Sequence, residues 1–120
     1  MSKPAQNRVW AICLALPEAS REIHGDHATF RVRRKVFACF LANHHGDGIV
    51  SVCCKVLPGD NTALVRSDAA KFYLPAYIGP KGWVGLRLDL DPPPDWEEVT
   101  ELVHGSYRLV APKTLSKRIE

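Results

Sequence analysis

Along the chain the apolar positions recur with two different periods, and each period predicts an element. Val9, Ile12, Cys13 and Leu16 fall three and four apart in a segment bracketed by Pro4 and Pro17, which predicts a helix with one buried stripe. From Ala28 to Ala42 the run A-T-F-R-V-R-R-K-V-F-A-C-F-L-A alternates instead, the pattern of a β-hairpin whose strands meet at Arg33-Arg34. Neither turn residue is Gly or Asn, so composition leaves the turn type and the register open. A third alternating run, I-V-S-V-C-C-K-V, covers 49–56, and Leu57 to Pro80 reads as irregular with one short helix around Asn61 to Arg66. Gly79-Pro80-Lys81-Gly82 has Pro second and Gly fourth, a type I turn signature that launches a strand from Trp83 to Asp89. Asp95 and Glu98 form a capping box ahead of Val99, Leu102, Val103, Ser106 and Val110, which keep helical period until Pro112. Gly105 lies inside that helix at about 1 kcal/mol disadvantage to Ala, which predicts close packing there.

The order helix, strands, helix predicts a single α+β domain over residues 1–120: a two-layer sandwich, its antiparallel sheet covered on one face by the N- and C-terminal helices. Alternation then sorts the strands. Phe30, Val32, Phe37, Cys39, Val50, Val52, Cys54, Val84, Leu86 and Leu88 are assigned inward, and Thr29, Arg31, Val36, Phe40, Ser51, Cys53, Lys55, Trp83 and Arg87 outward.

Composition changes this picture little. The chain is 46% hydrophobic and 24% charged, an ordinary globular balance, and its formal charge of +3 permits an anionic partner without demanding one. The apolar run Val9 to Leu16 is too short to span a bilayer and lacks a clear cleavage site, so neither membrane association nor secretion is expected. Cys13, Cys39, Cys53 and Cys54 include no Cys-x-x-Cys pair and lie mostly in apolar segments, which reads as reduced thiols in a cytoplasmic protein.

Candidate chemistry concentrates on the outward face. Arg31, Lys55, Trp83 and Arg87 share it, the hairpin tip adds Arg33, Arg34 and Lys35, and the turn before Trp83 adds Lys81. Rings for stacking beside cations for phosphates suit a nucleic-acid platform. Packing of Trp83 beneath the Phe72 to Ile78 loop, or a homodimer through the same face, would bury the ring equally well. His24, His27, His44 and His45, with Asp26 and Asp47, fall at one end of the sheet and carry metal-ligating chemistry, although turns favour these residues on backbone grounds. Ser106 and Cys53 lack a recognisable catalytic context, and G-P-K-G precedes a strand, so it lacks the helix N-terminus of a phosphate loop. Neither an enzyme nor a cofactor is expected.

L-P-E-A-S, F-R-V-R-R-K-V-F-A, G-W-V-G-L-R-L-D and S-Y-R-L-V-A-P-K, in that order, resemble the MmcQ/YjbR family from the first helix to about Leu115. The resemblance implies a frataxin-like (CyaY-like) sandwich and DNA binding through a double wing. The hairpin Arg31 to Lys35 and the turn at Lys81 are then the wing candidates. Lys35, Trp83, Ser106 and Tyr107 match recurrent family positions. Frataxin-like iron handling is not expected, because no Asp or Glu lies between Met1 and Pro17. The reading is a DNA-binding protein, monomeric or homodimeric, with a protein-interaction or homodimerisation module on the same face as the alternative.

Overall fold

The computed structural model describes residues 3–119, apart from the side chains of Lys3 and His45. Its elements are α1 (Lys3–Leu14), β1 (Ser20–His24), β2 (His27–Val32), β3 (Lys35–Ala42), β4 (Val50–Lys55), α2 (Asp60–Ser67), β5 (Phe72–Tyr73), β6 (Trp83–Arg87), α3 (Trp96–Val110) and α4 (Lys113–Ser116). The strands form one antiparallel sheet in the order β1-β2-β3-β4-β6-β5. Helices α1 and α3 cover its inner face, where Val9, Cys13, Val99, Val103 and Tyr107 meet Phe30, Phe40, Val52, Val84 and Leu86 in a single core. The α+β sandwich expected from the element order is the fold. Asp95 caps α3 as expected, accepting the Glu97 N–H at 3.0 Å. Glu98 does not complete the box, because its carboxylate pairs with Lys71 at 2.9 Å instead.

Strand β1 is absent from the alternation pattern for a physical reason. It is an edge strand with every residue exposed, so no apolar face marks it, and it enters the sheet through backbone pairing with β2. The hairpin β2–β3 turns at Arg33-Arg34, as the sequence suggests, and both residues are left-handed, with φ of 50° and 71°. This is the type I′ sign pattern, adopted here without the usual Asn or Gly.

The inward and outward assignment on β3 needs correction. Phe30 pairs with Ala38 but Arg31 pairs with Val36, so Phe37 is an extra, bulged residue. Phe37 and Ala38 therefore both enter the core, and the parity beyond them inverts. Phe40 is fully buried against Trp10, and Cys39 turns to the outer face opposite Thr29 and Cys53. Ser106 stabilises the irregularity from α3: its hydroxyl donates to the bulged Phe37 carbonyl at 2.6 Å and accepts the Lys55 N–H at 2.9 Å.

Close packing does not explain Gly105. A Cβ built there meets no heavy atom within 4 Å outside its own stretch of helix. Close approach occurs instead at Gly85 on β6, where a Cβ would overlap the Tyr73 ring.

Candidate functional site

The middle of the outer face is closed rather than open. From β5 the Tyr73 ring crosses Gly85 and reaches β4, where its hydroxyl lies 2.7 Å from Ser51 Oγ and 3.9 Å from Cys53 Sγ. Ser51 and Cys53 are buried beneath it. Burial pushes the Tyr73 phenol well above the usual tyrosine range and the Cys53 thiol up to about 12, so neither group supplies a ready nucleophile. Sequence periodicity misses this cover because β5 is two residues long.

Several candidate cations on this face are already matched. Arg31 is hydrogen-bonded to Glu22 of β1, a neighbour supplied by the unanticipated edge strand. Arg87 makes a fork to Asp89, with two contacts of 3.0 Å. Arg33 makes another to Glu18, at 2.5 and 3.0 Å, and this hydrogen-bonded guanidinium holds the Glu18 carboxyl below the usual range. Glu18 itself has φ 58°, so two left-handed non-glycine residues meet in one bidentate pair. The pairing spans fifteen positions in sequence, which local pattern cannot reveal.

Register gathers the remaining cations. Lys35 opens β3 beside the hairpin tip, and Cys54 opposite Ala38 brings Lys55 to the same end of the sheet. Trp83 lies opposite Lys55, and Lys81 immediately precedes it in a 3₁₀ turn over Gly79–Lys81. Arg34, Lys35, Lys55 and Lys81 are exposed, and among the described residues none of their side chains makes an ion pair or hydrogen bond. Trp83 is half-buried; its backbone N–H donates to the Ile78 carbonyl at 3.4 Å, and its backbone carbonyl accepts from the buried Asn61 side-chain amide at 3.2 Å. Between Lys55 and Lys81 runs a groove of about 520 Å³ walled by Val56, Pro58, Leu74 and Pro80.

The histidines lie at the opposite end. His27 accepts the Ala42 N–H through Nδ1 at 3.2 Å and meets His44 edge-on with ring centroids 5.3 Å apart, while His24 stands 3.6 Å from Glu22. The His45 side chain lies outside the described residues. Among the described residues, no three His, Cys, Asp or Glu side chains are grouped to hold a metal ion, and no helix is long and apolar enough to cross a membrane.

Ser106 and Tyr107 are internal ties: Ser106 bridges β3 and β4, and the Tyr107 hydroxyl donates to the Pro17 carbonyl at 2.7 Å.

Comparison with known proteins agrees with this architecture. The chain is similar in structure to a Deinococcus radiodurans protein with a DUF419 domain, at TM-score 0.72 and 21% identity over 95% of this chain and 86% of that one. It is also similar to a Pseudomonas syringae protein, at TM-score 0.63 and 17% identity over 88% of this chain and 96% of the other. No curated protein matches it. The YjbR family model matches residues 14–109, from the end of α1 through most of α3. With the greater part of its length so matched, the chain belongs to the YjbR family.

Proposed function

We propose that this protein binds nucleic acid, DNA foremost, at the basic end of its sheet. The observation that carries the reading is that Arg34, Lys35, Lys55 and Lys81, four cations without a carboxylate partner among the described residues, lie at one end of the sheet together with the half-buried Trp83, which pairs with Lys55. The left-handed Arg33-Arg34 turn serves as one wing and the Gly79–Gly82 turn as the other. With strands about 4.8 Å apart, these side chains cover a width suited to successive phosphates on one backbone. Arg31, Arg33 and Arg87, being matched internally, shape the surface more than they neutralise phosphate. The four free cysteines suit a reducing, cytoplasmic setting.

Fluorescence anisotropy with duplex and single-stranded DNA at several salt concentrations tests this. The combined R34A, K35A, K55A and K81A variant is expected to flatten the dependence of log affinity on log salt by about three to four units on duplex DNA, with smaller losses from R31A or R87A. Trp83→Ala is expected to weaken single-strand binding by roughly 1–3 kcal/mol with little change in slope. Absence of salt-dependent binding by the unaltered protein overturns the proposal.

A further inference from the structure

Gly105 occupies the interior of a 15-residue helix, where glycine is among the least favourable residues, yet it has neither a positive φ nor a neighbour within 4 Å of its missing Cβ. Nothing among the described residues accounts for it. It forms the floor of a cleft of about 290 Å³ between α3 and the segment leading into α2, walled by Val56, Leu57, Leu102 and Leu109. Leu57 is 56% exposed and Leu109 43%, so two large apolar side chains stand in water at the lip of an apolar cleft.

We propose that this cleft is a self-association surface, covered by α3 of a second copy crossing antiparallel at Gly105. The charges along the helix support that occupant. A two-fold axis at residue 105 opposes residue i with residue 210 − i, so Glu101 of one copy falls within a residue of Arg108 of the other, and this happens twice. The two residues are seven apart on their own helix, too far to pair with each other, and both are exposed. The missing Cβ lets two helix backbones approach at the crossing point, while Leu102 and Leu109 of each copy pack across it. The surface lies away from Tyr73 but adjoins the basic end of the sheet at Lys55 and Val56, and the inference does not depend on nucleic-acid binding.

Sedimentation velocity over a range of concentrations is the test, with thermal melting of a dilute, monomeric sample beside it. Gly105→Ala is expected to weaken self-association at least about tenfold, because methyl groups then collide at the crossing. The same substitution is expected to raise the monomer's Tm by about 4 °C, through helix propensity with no internal clash. A purely internal role for Gly105 predicts no such opposition between the two readouts. Glu101→Arg and Arg108→Glu are each expected to weaken the dimer, and the double charge swap to restore it. A protein that stays monomeric up to about 1 mM, or a dimer indifferent to Gly105→Ala and to the charge swap, overturns the proposal; in either case the cleft belongs to another partner or to solvent.

Discussion

Ser106 shows how much one hydroxyl can settle. It is fully buried and satisfies two backbone groups at once, the carbonyl of the bulged Phe37 and the N–H of Lys55. Ser106→Ala leaves both without that partner in a region closed to water, and is expected to cost about 2–3 kcal/mol in urea unfolding at unchanged m-value. His104, on the same helix, is pushed below the ordinary histidine range, first by partial burial and then by Arg108, with Glu101 opposing. A histidine that is harder to protonate when folded leaves the unfolded chain binding more protons. Stability is therefore expected to fall as pH drops below about 6.5 and to level off once the folded-state value is passed. His104→Gln is expected to flatten that part of the profile, read as Tm against pH. The carboxylates paired with arginine act in a lower window: Glu18 and Glu22 are held below the usual range and lose their contribution only in more acidic solution. Neither Ser106 nor His104 stands out by residue type. Each owes its role to what α3 is packed against.

At the scale of elements, the β2–β3 hairpin combines strain with exposure. Arg33 is left-handed but held by the fork to Glu18, whereas Arg34 is left-handed with no such partner among the described residues. Arg34→Gly is expected to stabilise the protein by about 1–2 kcal/mol, by relieving the αL backbone of a residue with a Cβ. The same change is expected to weaken DNA binding and lower the salt slope by about one unit, so thermal and binding measurements should move in opposite senses. Unchanged DNA affinity together with raised stability would leave the turn without a binding role. The hairpin's existence was legible from alternation alone, since the fifteen residues from Ala28 to Ala42 alternate on either side of a two-residue turn near their centre. Its bulge was not, because Phe37, Ala38, Cys39 and Phe40 are all acceptable core residues and composition does not say which of them is the extra one.

Across the whole molecule, the layers decide which chemistry is available. Cys13 and Cys54 lie in the core between helices and sheet, Cys53 lies under Tyr73, and Cys39 is half-buried with its thiol pushed up to about 11 by desolvation. Alkylation at mildly alkaline pH, followed by intact mass, is expected to start slowly at Cys39 and to reach the other three only with global unfolding. Rapid labelling of Cys53 in the native protein would mean that Tyr73 does not hold its closed position. Local pattern by itself determined the two long helices, the central strands, the Asp95 cap and the sandwich, because burial of one face imprints a period on the residues that form it. Tertiary structure alone decided the edge strand β1, the bulge at Phe37, the cover by Tyr73, and the carboxylate partners of Arg31 and Arg33. Those features rest on contacts between residues far apart in sequence, such as Glu18 with Arg33 and Ser106 with Phe37, and a one-dimensional period carries no record of such pairs.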